Sequence, residues 1–530
     1  MRRSFVLRVS LAVAAAAAMS AVAQPVRSQT LATEDPVLRR IWDQAMNQSQ
    51  FERLEQVLLD SIGPRLIGAP ESERAQDWVV ARLRGWGIEA ERVQYGTWEG
   101  WDRGPSHIDL VAPRVRSLEG RTLAFSPGTG GKPVEGGVVS LPIMHGAADF
   151  EAFLPQVKGK FVMVSSPQPT CRPNSQWEQF GARGSFDKMN KARQAADSVW
   201  NASLEATGLA TRDLPKRLEA AGALGVVSSI WSGGYGTTRV FNSYTRQAPS
   251  FELSCEDYGL VYRLTANNQG PRLRITAEAR NLGEVPVHNV IGRIPGTQLP
   301  NEYVLLSAHL DSWDGGSGAA DNATGSVLMM EAMRILKQVY PNPKRTIVIG
   351  LWNSEEQGLN GSHAYVEDNP QVMAGLQAVF NQDNGTGRIV NMSASGFVDA
   401  GESLARWLSK VPAEVTREIA FSVPGSPAGG GSDHASFVCA GLPGFSLGAL
   451  NWGYSDHTWH THRDTFDKLV FDDLKNNAVL VASLAYLASE DPQRVGRTER
   501  TVFPVGPGGQ AGSWPVCPKA MRKTSDSPRW

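Results

Sequence analysis

The residues of this sequence best suited to chemistry are imidazoles and carboxylates that each follow a short apolar run. Residues 303–307 read as a buried strand that carries His309 and Asp311 to its carboxyl end, and a glycine-rich loop then leads to Asp321 at the start of a helix. Imidazole and carboxylate are donors that a divalent metal such as zinc accepts, and the carboxyl ends of strands are where open α/β sheets bind ligands. Taken alone, a His-x-Asp pair equally describes a local hydrogen bond. A second apolar run, 345–350, leads to the adjacent acids Glu355 and Glu356, and a third, 378–380, to Asp383. Like charges side by side cost energy unless solvent or a cation compensates, so Glu355-Glu356 is either a solvated acidic turn or a metal ligand beside a general base. Asp433-His434 and the stretch Trp459-His460-Thr461-His462-Arg463-Asp464-Thr465 close the set. Of the nine histidines, six lie at or beyond His309, the crowding that a metal-binding half would show.

Helices must back these strand ends. In 326–339, Leu328, Ala332, Ile335 and Leu336 recur at helical spacing, so one face packs on a sheet and Met329, Met330 and Met333 belong to the core. Residues 471–489 read as the last amphipathic helix, and 75–86 as another, with Val79, Leu83 and Trp86 on one face. Alternation of such helices with buried strands predicts an α/β fold with a mixed, mostly parallel sheet flanked by helices.

The ordered series SAHLDSW, GAADNATG, NSEEQGLNGS, NQDNGTG, GSDHASF and WHTHRDTFD resembles the co-catalytic di-zinc exopeptidases, the aminopeptidase clan, and most closely its carboxypeptidase Q-like branch. The resemblance implies two zinc ions per chain and five protein ligands: Asp321 shared by both metals, His309 and Asp383 on one, Glu356 and His460 on the other. It implies Glu355 as the general base acting through a metal-bridging hydroxide, with Asp311 beside His309 as a further catalytic carboxylate. It also implies a cis peptide at Asp321-Asn322. His462, two residues past His460, is an alternative ligand. Asp433 and His434 are read either as substrate contacts or as a hydrogen-bonded structural pair, while His363 and His457 are read as ordinary loop histidines. Trp313, Trp452, Tyr454 and Trp459 flank the ligands, either as walls of a substrate pocket, Tyr454 among them, or as packing. The implied activity is removal of the N-terminal residue from unblocked peptides or splitting of dipeptides, with a peptide as the partner and a homodimer as the assembly. A glutaminyl cyclase-type acyltransferase and a non-catalytic, receptor-like binding relative are the rival readings.

Residues 1–23 begin with Arg2 and Arg3, carry an apolar stretch and end in Ala21-Val22-Ala23, a secretory signal peptide that predicts a secreted or periplasmic protein with no membrane span. The chain has 530 residues, too many for one core. With 52 basic and 53 acidic residues, the net charge of −1 gives no electrostatic footprint for nucleic acid. The expected division is a catalytic domain over 24–117 and 277–492, an insert over 118–276, and a tail over 493–530 that is poorly ordered unless Cys517 is tied down. Within the insert, Gly159-Lys160-Phe161-Val162-Met163-Val164 and the 220–227 turn resemble the protease-associated domain, a β-strand-rich module that either shapes the cleft or only adds stability. Residues 35–104 are expected to be mostly helical, and the turn-rich loop 61–70 to be structural. Cys171, Cys255, Cys439 and Cys517 permit three full pairings, of which Cys171–Cys255 is expected from their sharing the insert.

Overall fold

The computed structural model describes residues 33–503, 505 and 512–526; the signal-peptide reading of 1–23 lies outside them. Among the described residues, fourteen strands join one continuous twisted sheet. Its heart is the parallel set Gly444–Ala449, Leu376–Asn381, Leu299–His309 and Arg345–Trp352. These strands are near-continuous apolar runs because helices cover both faces, which leaves no solvent side to alternate against. The helix Thr324–Val339 is buried along almost its whole length, with Leu328, Met329, Met330, Met333, Ile335 and Leu336 at zero exposure. It packs between the sheet and the helices Pro36–Asn47 and Phe471–Glu490 in the largest apolar cluster, where each buried Leu, Ile or Met contributes about 1.5–3 kcal/mol.

The helical reading of 35–104 holds only to Gly85, the end of the helix Pro70–Gly85. Glu89–Ala112 is instead one long strand, paired antiparallel along nearly its full length with Arg272–Ile294. Its glycines and Pro105 interrupt the alternation that marks a strand, and the register shifts at Gln94/Gly96, Gly100/Trp101 and Arg103/Ser106 absorb them as bulges. One strand of the ribbon, Arg272–Ile294, crosses the expected boundary at 276/277, whereas the other ends at Ala112, short of 117/118. The ribbon's outer part meets Val134–Ser140, Lys160–Met163, Gly225–Ser228 and Ser250–Leu253, which carry their own apolar cluster around Phe161, Phe251 and Leu273. The stretch 174–206 holds the helices Trp177–Phe180 and Ser185–Ala206.

Two disulfides, Cys171–Cys255 and Cys439–Cys517, use all four cysteines. The second ties down the tail: residues 512–526 run over the surface, with Arg522 donating to Glu367 and Asp368 at 2.9 and 2.8 Å. Among the described residues no helix is long and apolar enough to cross a membrane.

Candidate metal centre

Three of the parallel strands end at one level. Trp352 pairs with His309 and Asn381 with Ser307, so the residues that follow each strand share a rim although they are far apart in sequence. Asp321 lies at the centre of that rim. Its Oδ1 is 3.3 Å from His309 Nε2, which also sits 3.0 Å from Asp383 Oδ1. Its Oδ2 is 3.4 Å from His460 Nε2, which in turn lies 3.0 Å from Glu356 Oε2. The two oxygens of one carboxylate therefore face two separate imidazole–carboxylate pairs. The Asp321–Asn322 peptide is cis.

None of Asp321, Glu355, Glu356 and Asp383 forms an ion pair with a lysine or arginine among the described residues. Burial pushes the Glu355 carboxyl well above the usual range, and Asp383, Asp433 and Glu356 add to it. Glu356 is raised by burial and then by Asp321, Asp311 and Asp383, and Asp383 is raised by burial and by Asp321. Burial alone would push His309 down, but the charges of Asp383 and Glu355 and hydrogen bonds from the imidazole to Asp311 and Asp321 hold it well above its usual value. Asp321 Oδ2 is buried without a hydrogen-bond donor, as is His460 Nδ1 without any partner. The sets His309–Asp321–Glu356 and His309–Glu355–Asp383 each bring their ligand atoms within 4.8 Å of one another. Mutually repelling buried acids, two imidazoles and an orphaned oxygen make a donor set that fits divalent cations.

The supports are buried behind this rim. The Asp311 carboxylate accepts the Glu355 and Glu356 N–H groups at 3.2 and 3.3 Å, and its carbonyl oxygen lies 2.9 Å from His309 Nδ1, so one residue orients an imidazole and the acidic turn together. Asp464 does the same for the central carboxylate, accepting the N–H groups of Ala320 at 2.7 Å and Asp321 at 3.0 Å. Arg65, from the turn-rich loop, is fully buried and donates to the carbonyls of Leu310, Ser317 and Gly318 at 2.6, 2.6 and 2.9 Å, which pins the glycine-rich loop before Asp321. Sequence reasoning left Asp464 unassigned, although it follows His460 by four residues.

A cavity of about 530 Å³ opens from the rim. Glu355, Glu356 and His460 line it, together with Trp313, Trp459 and Phe241. Phe241 comes from the 118–276 stretch, and its ring packs edge-on against His460 at 5.0 Å and Trp313 at 5.7 Å. The same stretch grips the last ligand segment: Val240 N–H donates to the His460 carbonyl at 2.8 Å, and Thr238 N–H and Oγ1 lie 3.1 and 2.8 Å from His462 Nδ1. His462 thus points away from Asp321, with Nε2 3.0 Å from Glu119, and is not an alternative ligand. Neither Asp433 nor His434 lines the cavity: Asp433 is wholly buried, its carboxyl pushed up to about 8 by burial, and the wall there is made by Gly429, Gly430, Gly431 and Ala435. Tyr454 faces the carboxylates; burial and then Asp321, Asp383, Glu356 and Asp464 raise its hydroxyl well above the usual range. His363, expected in a loop, sits on the helix Asn360–Asp368 and lines the cavity, whereas His457 is exposed.

Residues 289–485, which span from the inner strand of the long ribbon to the last helix, match the family model described as Peptidase family M28. The chain carries a peptidase family M28 domain. Beyond that domain, the chain is 26% identical over 454 residues to carboxypeptidase Q of Bos taurus, an alignment covering 85% of this chain and 87% of the relative. A Peptidase M28 precursor from Shewanella amazonensis SB2B shares the fold with a TM-score of 0.65 at 22% identity, over 88% of this chain and 98% of that one. The zinc aminopeptidase BSAP from Bacillus subtilis does so with a TM-score of 0.54 at 18% identity, over 84% and 96%. The M28 domain holds every residue of the rim, from His309 to His460.

Proposed function

We propose that the protein is an exported zinc-dependent exopeptidase that hydrolyses the N-terminal peptide bond of unblocked peptides or dipeptides. The observation that carries this reading is the division of Asp321, one oxygen toward His309 and Asp383 and the other toward His460 and Glu356. These five residues would hold two zinc ions, with Asp321 common to both. Zinc supplies Lewis acidity there, for a scissile carbonyl and for water.

The chain's own residues account for the proton traffic. Glu355 is left over from the ligand set, lines the cavity, and has its backbone fixed by Asp311. As general base its carboxylate takes a proton from the attacking water and then delivers it to the leaving amine. Trp313, Trp459 and Phe241 exclude water from one side of the cleft and offer an apolar surface to a substrate side chain. Export is supported by the leader-like residues 1–23 and by two disulfides, which persist in oxidising compartments. Exopeptidase action is supported by the relatives named an aminopeptidase and a carboxypeptidase.

The test is mass-spectrometric analysis of a mixture of free dipeptides, longer free peptides and N-terminally blocked copies, incubated with zinc-loaded and chelator-stripped protein. Metal-dependent loss of one N-terminal residue or splitting of dipeptides, absent for blocked copies, is the expected result. Release from the carboxyl end of blocked peptides, or full turnover by Glu355→Gln, would refute the reading.

A further inference from the structure

We propose that the disulfide-tied C-terminal segment 514–522 is the specificity-determining wall of the cleft and restricts cleavage to short peptides, dipeptides above all; this rests on the exopeptidase reading above. Pro515, Val516 and Pro518 line the same cavity as Glu355, Glu356 and His460. The segment is fastened directly at the cleft, since Cys517 is bonded to Cys439, itself a lining residue at the end of the helix His434–Val438. It is also fastened on both sides. Before the disulfide, the Trp514 ring packs edge-on against Phe397 at 5.1 Å. After it, Met521 N–H donates to Asn360 Oδ1 at 3.1 Å, and the Arg522 carbonyl accepts from Thr97 N–H at 2.8 Å. Seating the segment there requires Gly96, where a Cβ would lie 2.2 Å from the Arg522 carbonyl oxygen.

Two further features give the wall a role in binding. Val516 is 91% exposed, so its side chain contributes nothing to the core and is free to meet a ligand. The cavity, at about 530 Å³, lies in the lower half of the range for small-molecule sites of roughly 300–1,000 Å³. With the scissile bond held near Glu355, the remainder of a substrate extends into this limited space, and each further residue of an extended peptide adds about 3.3–3.6 Å of length. A wall anchored at three points does not yield to that length as a free tail would.

The test uses the full-length, zinc-loaded protein and compares kcat/KM for dialanine and tetraalanine. The wild type is expected to favour dialanine, and the Cys439→Ser/Cys517→Ser double variant to raise the tetraalanine-to-dialanine ratio of kcat/KM about tenfold. Val516→Trp keeps the disulfide and thickens the wall; it is expected to lower kcat/KM for alanyl-tryptophan relative to dialanine by about tenfold. Equal cleavage of both alanine peptides by the wild type overturns the proposal, as do unchanged ratios in both variants. If the wild type cleaves neither peptide, the exopeptidase reading itself has failed, a result distinct from the other two.

Discussion

Asp464→Asn isolates the contribution of a carboxylate that acts on the rim through backbone N–H groups. In the wild type its two oxygens accept one backbone N–H each, from Ala320 at 2.7 Å and from Asp321 at 3.0 Å, and the group is buried. Asparagine is nearly isosteric but keeps only one acceptor oxygen, so its NH₂ must face the second N–H as donor against donor. Hydrogen bonds to charged groups contribute about 1.5–3 kcal/mol each, and a buried donor left unmet costs about 1–3 kcal/mol, which places the local penalty at about 2.5–6 kcal/mol. Because the bonds being broken hold the backbone of Asp321 itself, much of that penalty should surface as misorientation of the central carboxylate. Losing such a support typically lowers metal affinity by about 10–100-fold. The assay is zinc titration against a competing chelator, alongside thermal unfolding of the metal-free protein to separate affinity from fold. Zinc affinity of Asp464→Asn within about twofold of wild type would refute the argument that Asp464 positions the centre.

Asp311→Asn should leave the fold intact but unsettle the Glu355-Glu356 turn, lowering kcat by about 10²-fold in steady-state peptide hydrolysis, because a misplacement of about 1 Å carries that cost. Away from the site, burial pushes Glu252 up to about 7 in the folded protein, opposed by hydrogen bonds from Ile230 and Ser228 and by Arg239. The folded value lies above the unfolded one near 4.5, so the protonated carboxyl stabilises the fold fully at low pH and that contribution is lost as pH rises through 7. Urea midpoints should therefore fall between pH 5 and pH 8, and Glu252→Gln should flatten the decline by an amount on the order of 3 kcal/mol. Cys171→Ser opens a loop closed over 84 residues, and equilibrium unfolding should register a loss of up to about 4–5 kcal/mol.

The legibility of this chain follows from the range over which each signal acts. Buried parallel strands and the helix Thr324–Val339 announce themselves locally, because the whole element is apolar or its apolar face recurs at helical spacing. His309, Glu356 and Asp383 were legible for the same reason, each standing just past such a run. Asp464 and Arg65 were not, since their tasks are set by backbone N–H and carbonyl groups that only the folded loops bring to them. The resemblance set His460 ahead of His462, but what holds His462 elsewhere is Thr238, more than two hundred residues away. The strand Glu89–Ala112 was missed because glycine and proline, which signal turns in isolation, are tolerated here at bulges of a two-stranded ribbon.

That ribbon also limits how the chain can be taken apart. Residues 118–276 look like a cassette, a unit that could be excised, swapped for a relative's, or expressed by itself. Glu89–Ala112 and Arg272–Ile294 run from the parallel strands beneath the rim out to the second apolar cluster, so a splice at 277 cuts through the hydrogen-bonded backbone of the second strand, whereas 117 lies past the end of the first. The excised piece would carry off residues 272–276, which pair with the outer end of Glu89–Ala112, and the remainder would also lose Phe241 and the Val240 and Thr238 contacts that steady His460 and His462. A chimera of this protein is therefore better designed with its junctions in the loops beyond the ribbon's outer end, so that both strands stay with the rim they support.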